Sequence, residues 1–209
     1  MTLMLVEQEA AERAVTEAAI SQTFLRVHRA QLSHFLPHLL RLEQAGQIGA
    51  VVGIRAAQTG NLFLEQYLDK PVEQSVATVF RTPVDRDQVV EIGNLTSAMR
   101  GFASSMFAVL ATVLHRAGYR WVVCTVTPKV AVALRNVGYE SKVICRANPA
   151  RLQLGSAGWG NYYASRPQVI AGDVASAART LESDPGAMYL VRQLADSIDQ
   201  IAASLSRSR

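Results

Sequence analysis

Apolar and polar positions change their period several times along the chain, and the clearest succession runs from Val89 to Ala147. Val89-Val90-Glu91-Ile92-Gly93-Asn94-Leu95 reads as a strand, and Ser97 to Gly101 as a turn of small residues. Phe102 to Arg116 then places Met106, Val109, Leu110, Val113 and Leu114 on one helical face, with a stop at His115, Arg116 and Gly118. Trp121 to Val126 is an unbroken β-branched and aromatic run, the pattern of a strand buried on both faces. Pro128 to Asn136 predicts a second helix ahead of Gly138-Tyr139. Strand, helix and strand in this order form a βαβ unit, whose two strands are expected to run parallel.

The flanking segments are read in the same way. Glu7 to Arg29 has helical composition, with Val15, Ala19, Phe24 and Val27 as its expected apolar face and a break expected near Ser21-Gln22-Thr23. Phe35 to Leu42 is apolar around Pro37, which favours an edge strand or a bend over a central strand. Gln44 to Gln47 is a hairpin turn into a strand over Ile48 to Ala57. Leu62 to Leu68 reads as a short helix or a strand, and Val72 to Val79 as a short helix. Lys142 to Ala147 and Gln168 to Asp173 are expected strands, separated by an aromatic-bearing loop over Arg151 to Tyr163. Ala175 to Leu181 is a short helix, and Ala187 to Ser206 a single amphipathic helix with its stripe at Leu190, Leu194, Ile198, Ile201 and Leu205. That stripe must be buried on its own domain or on a dimer partner.

Composition narrows the field of functions. The chain has 209 residues, 49% of them hydrophobic, enough for one substantial α/β core. The net charge of +4 is scattered, and no basic cluster with interleaved aromatics points to nucleic acid. Cys124 and Cys145 each lie in an apolar run, as reduced core thiols do. The N-terminus lacks the basic start of a secretory signal, and no apolar run approaches a membrane span, so a cytoplasmic protein is expected. His28, His34, His38 and His115 are not grouped as metal ligands, and no metal is expected.

Several residues are candidates for chemistry on their own terms. Arg100-Gly101 opens a helix, where free N–H groups and a partial positive charge favour an anion such as a phosphate. Glu65 and Asp69 lie four residues apart around Tyr67; partial burial would raise a carboxylate pKa towards that of a useful base. Trp159, Tyr162 and Tyr163 either build the core or line an apolar pocket.

The turn Arg100-Gly101-Phe102-Ala103 between a strand and a helix, followed by a second parallel strand, resembles the acyl-CoA-binding core of the GNAT acyltransferases. It keeps the Gly-x-Ala part of that family's pyrophosphate loop. The leading Gln or Arg of the loop would fall at Ser97 or Ala98 and is missing. Further motifs appear in fixed order: Phe35-Leu36-Pro37, Leu62 to Asp69, Pro71-Val72-Glu73, Val90 to Leu95, and Trp159-Gly160-Asn161-Tyr162-Tyr163. Together these resemble the thermostable hemolysin family over roughly Ile20 to Leu181, a bacterial group related to GNAT proteins and more distantly to acyl-homoserine-lactone synthases. The resemblance implies an α/β (α+β) fold with a GNAT-like mixed central sheet flanked by helices. Residues 1–182 would form the domain and 183–209 an added amphipathic helix.

It also implies roles. Arg100, Gly101, Phe102, Ala103 and Asn136 would hold the thioester cofactor, Tyr139 would be catalytic, and Tyr162 or Tyr163 would protonate the departing thiolate. Glu91 would be the base, since the lactone synthases carry a Glu followed three residues later by an Arg; here that Arg is Asn94, which puts their substrate S-adenosylmethionine in doubt. Glu91 is otherwise a surface carboxylate or a partner of Arg55 or Arg86. Asn94, Arg55, Tyr67, Trp159 and Tyr162 are the expected substrate contacts. The expected function is acyl transfer from acyl-CoA or acyl carrier protein to a small amine or amino-acid derivative. The alternatives are a lactone-synthase-like enzyme, a membrane-active lytic protein, and an inactive thioester-binding module.

Overall fold

A computed structural model describes residues 1–136, 138–153 and 155–207. The chain runs through β1 (Thr2–Val6), α1 (Arg13–His28), β2 (His38–Gln44), β3 (Gln47–Ala56), α2 (Val72–Phe80), β4 (Val89–Ser97), α3 (Phe102–Arg116) and β5 (Trp121–Val126). It continues through α4 (Pro128–Asn136), β6 (Ser141–Arg146), β7 (Gln168–Asp173), α5 (Val174–Glu182), α6 (Pro185–Gln193) and α7 (Ala195–Arg207). The strands form one seven-stranded sheet in the order β1-β2-β3-β4-β5-β7-β6. β4 and β5 pair in parallel, as the βαβ pattern requires, and every other pair is antiparallel.

Strand alternation sends successive side chains to opposite faces. Leu40, Leu42, Val52, Ile54 and Val90 meet Met106, Val109, Leu110 and Val113 of α3 on one face. Leu39 and Val51 meet Ile20 of α1 on the other, and Val89, Trp121 and Val123 meet Val72 and Val76 of α2 there. The C-terminal stripe does bury: Leu194, Ile198, Ile201 and Leu205 join the α3 cluster. It is carried by two helices, α6 and α7, separated at Leu194, where one was expected.

Elsewhere the structure decides between the alternatives left open for Phe35 to Leu42 and Leu62 to Leu68, and corrects the reading of α1. Thr2–Val6, whose pattern is too short to separate it from a loop, pairs with β2 and becomes the sheet edge, so β2 is internal. Pro37 stands just outside β2, where its missing N–H costs the ladder nothing. α1 runs unbroken through Ser21-Gln22-Thr23 and buries Arg13, Thr16 and Ile20, while Val15 and Val27 are exposed. Arg13 reaches the carbonyls of Leu36 and Pro37 at 2.8 and 2.7 Å, which is why a charged residue sits on the inner face. Leu62 to Leu68 is a short 3₁₀ turn over Phe63–Tyr67. Within the Arg151 to Tyr163 loop, Leu154 lies outside the described residues. Among the described residues no helix is long and apolar enough to cross a membrane.

One close approach fixes the start of α3. A Cβ built on Gly49 would lie 1.9 Å from the Phe102 ring, and the Gly49 carbonyl accepts from the Ala98 and Met99 N–H groups. Gly49→Ala should lower stability by about 2–3 kcal/mol in urea unfolding, with Phe102→Leu recovering part of the loss. An alanine that costs nothing would refute the tight contact.

Candidate functional site

Parallel pairing between β4 and β5 stops at Ile92–Cys124, although both strands continue. The cause is a bulge in β4. Gly93 pairs with Gly53 and Thr96 with Val51, so Asn94 and Leu95 together oppose the single residue Val52. Asn94 takes a left-handed conformation there (φ 50°), which Asn tolerates better than most residues. The bulged strand bends away from β5 and leaves a slot between Gly93–Leu95 and Cys124–Val126. A cavity of about 940 Å³ occupies this slot and extends to the α1 and 3₁₀-turn side of the sheet, within the usual size of ligand pockets.

Glu91 lies at the inner end of the slot, 4% exposed, on the face opposite α3. Its two carboxylate oxygens accept from the Phe63 and Leu64 N–H groups at 2.9 and 3.0 Å. Burial pushes its pKa up to about 7, against the opposing pull of those N–H groups and of Arg55. A carboxyl that titrates near neutrality inside a ligand-sized cavity can take up and release a proton. Arg55 is the register partner of Glu91 on β3 and also lines the cavity.

The other expected contacts divide. Tyr67, Trp159 and Tyr162 line the cavity, as do Glu65, Asp69 and Asn94. Tyr162 donates to the Thr125 carbonyl on β5, and its phenol is held protonated by burial. Trp159 stacks among Phe63, Tyr162 and Tyr163, so it is both core and wall. Asn94 is already engaged: its Oδ1 accepts from the Leu36 N–H at 2.9 Å, tying the segment after α1 over the slot.

Glu65 departs from expectation. Burial pulls its pKa up, but hydrogen bonds from Arg86 and from the Leu62 and Val72 N–H groups outweigh this and hold it below the ordinary value. Its carboxylate is fully occupied, so a desolvated base is not what the fold makes of it. Asp69 is largely exposed and paired with Arg151. Cys124 lines the cavity, but burial pushes its thiol up to about 12, away from a nucleophilic thiolate.

The expected cofactor loop lies one helical turn away. Arg100 and Gly101 are exposed and unsealed, and Gly101 caps α3 in the left-handed region (φ 84°). Ala103 joins the cluster of Leu95 and Phe107, which line the cavity; Phe107 is about 6 Å further along the axis. Phe102 turns its ring into the core, so only its backbone faces the loop. Asn136 is exposed at the end of α4, outside the cavity lining. Tyr139 is likewise outside it: its buried hydroxyl lacks a hydrogen-bond partner and lines a separate pocket of about 70 Å³ beyond Phe107. The residue that sequence reasoning did not rank is Arg86, which carries the turn that holds Glu91; its partners lie too far along the chain to show as a motif. No group of His, Cys, Asp or Glu among the described residues is arranged to hold a metal ion.

With this geometry in place, the thermostable hemolysin family model matches residues 6–178. The chain belongs to the thermostable hemolysin family. Among curated proteins none matches it by sequence. Solved structures share its fold at low identity. FeeM, an N-acyl amino acid synthase from uncultured soil microbes, aligns with a TM-score of 0.58 at 11% identity, covering 86% of this chain and 99% of FeeM. The acyl-homoserine-lactone synthase LasI aligns at 0.56 and 11%, covering 83% and 89%. BjaI, a CoA-dependent acyl-homoserine lactone synthase solved with SAM and isopentyl-CoA, aligns at 0.54 and 9%, covering 86% and 87%. The hemolysin family chain therefore has a GNAT-like fold.

Proposed function

We propose that this thermostable hemolysin family member is an N-acyltransferase, moving an acyl group from acyl-CoA or acyl carrier protein to a small amine or amino-acid derivative. The observation that carries the reading is Glu91, a buried carboxylate with a pKa of about 7 at the end of a slot between two parting parallel strands. A thioester arm can enter between β4 and β5, with its phosphates near the open N-terminus of α3 and Arg100. FeeM, described as an N-acyl amino acid synthase, and BjaI, described as a CoA-dependent acyl-homoserine lactone synthase and solved with isopentyl-CoA, share the fold and support the reading.

In this reading Glu91 takes one proton from the acceptor ammonium. The freed nitrogen lone pair adds to the thioester carbonyl carbon, and the C–N bond forms. In this reading the oxyanion is stabilised by backbone N–H groups where the β4–β5 pairing has ended. Collapse breaks the C–S bond, and the second amine proton passes to sulfur, relayed by Tyr162. Thioester and ammonium become amide, thiol and one proton, which Glu91 returns to solvent. Use of S-adenosylmethionine is disfavoured because Asn94 replaces the expected Arg and is committed to Leu36.

Octanoyl-CoA and decanoyl-CoA at about 100 times Kd should raise Tm by about 5–10 °C. Thiol should be released only when an amine is added, as read with a disulfide dye. Stabilisation without release by any amine would reduce the protein to a thioester-binding module. Dye leakage from liposomes with neither effect would favour direct lysis.

A further inference from the structure

Within that transferase reading, we infer that the acceptor is an amino acid whose free carboxylate is held by Arg55 while its amine faces Glu91. Arg55 and Glu91 are direct partners across the antiparallel β3–β4 pair, so their side chains leave the same face of the sheet, with Cβ atoms about 5 Å apart. Both line the large cavity. They carry opposite charges, yet they do not satisfy one another. Glu91 spends its oxygens on the Phe63 and Leu64 N–H groups. Among the described residues no ion pair or hydrogen bond takes up the Arg55 guanidinium, and its Nε is buried without a partner.

The neighbouring arginines have anions of their own: Arg86 holds Glu65 and Glu73, and Arg151 holds Asp69, while Lys70, which also lines the cavity, is an exposed ammonium that water can solvate. A half-buried guanidinium left unmatched beside a ligand-sized cavity is costly unless something supplied from outside completes it. A carboxylate presents two oxygens that fit the guanidinium fork. Next to it, Glu91 offers the complementary charge for an ammonium. The two side chains present a plus and a minus at neighbouring positions, which is the inverse of a zwitterionic amino acid.

The arrangement also couples recognition to chemistry. Arg55 is one of the influences that hold the Glu91 pKa down. A carboxylate on Arg55 screens that cation, so Glu91 becomes a stronger base when an amino acid is bound. An amine without a carboxylate leaves the cation unscreened and forgoes this gain.

The test uses the full chain and the product class itself. Calorimetry should show N-octanoylglycine and N-octanoyl-leucine binding more tightly than their methyl esters by at least about tenfold. In Arg55→Gln that preference should shrink towards one, and Arg55→Lys should keep part of it. Esters that bind as tightly as the acids, or acids that do not bind, overturn the inference; the comparison in unaltered protein makes this independent of whether the variants fold. In parallel, thiol release from octanoyl-CoA should proceed with glycine or leucine and fall by at least about tenfold with the methyl esters. Equal rates for acid and ester also overturn it. Retained, Arg55-dependent acid binding with no thiol release from any amine strikes the transferase reading alone and leaves the carboxylate site standing.

Discussion

Replacing Glu91 with Gln should lower the amine-dependent transfer rate at saturating substrate by about 10²–10⁴-fold, the range for loss of a positioned general base. In the unaltered protein the same rate should climb about tenfold per pH unit below neutrality and level off above a midpoint of about 7. Alternation sends Glu91 to the face shared with Val89, where the turn over Phe63–Tyr67 closes over it. Burial there disfavours the charged form more strongly than the Phe63 and Leu64 N–H groups and Arg55 favour it. The carboxyl is therefore poised, half ionised near neutrality, where a base works best.

The same shift has a stability consequence of definite sign. The folded pKa is about 7 against an ordinary 4.5. Between those values the unfolded chain has already released its proton, so the folded state loses stability as pH rises. The contribution is fully present below about 4.5 and is gone above about 7, on the order of 3 kcal/mol. Calorimetric melts across this window in unaltered protein and Glu91→Ala should separate that slope from the rest. A rate that is flat in pH from acid to alkaline, or a Glu91→Gln protein within threefold of normal, would remove Glu91 from the chemistry.

Arg86→Ala should lower Tm by about 5–10 °C, from a loss of about 2–3 kcal/mol. One guanidinium joins four parts of the chain. It grips Glu65 with both terminal nitrogens at 2.8 Å, Glu73 at 2.8 Å, and the Ala57 and Gly60 carbonyls at 2.9 Å. Glu65 in turn accepts from Leu62 and Val72 at 2.8 and 3.0 Å and so shapes the turn whose next two N–H groups hold Glu91. Truncation leaves Glu65 and Glu73 facing each other and removes the guanidinium donors from the Ala57 and Gly60 carbonyls, so activity should fall along with Tm. Arg86→Lys should rescue only part, since a point ammonium cannot reproduce the fork. Glu65 has a depressed folded pKa, so its contribution is present above the ordinary carboxylate value and lost as pH falls through the folded one. The Tm gap between Arg86→Ala and the unaltered protein should accordingly narrow in acid. A gap below about 2 °C at neutral pH would show that the network contributes little.

Within single segments the sequence carried the answer. Phe102 to Arg116, Trp121 to Val126 and Gln168 to Asp173 take the predicted structure at the predicted bounds, because periodicity and end signals act over a few residues. The parallel β4–α3–β5 unit followed from the same local patterns, and the family from the resemblance of its ordered motifs. What the sequence could not decide depends on partners far along the chain. Thr2 to Val6 has too short a pattern to separate it from a loop; it is a strand because β2 offers an unpaired edge. The buried face of α1 could not be found from hydrophobicity, because Arg13 is satisfied by carbonyls that arrive only when Leu36 and Pro37 fold back. The candidate site follows the same division. Glu91 and the arrival of the aromatics were visible as residue types, but their charge states and alignment were not. Glu65 looked like a base until Arg86, distant in sequence, closed on it, and Arg55 meets Glu91 only through the β3–β4 register. A local pattern determines which surface a segment hides, whereas a pKa depends on which groups the fold brings to within a few ångströms, and that is set by the tertiary structure alone.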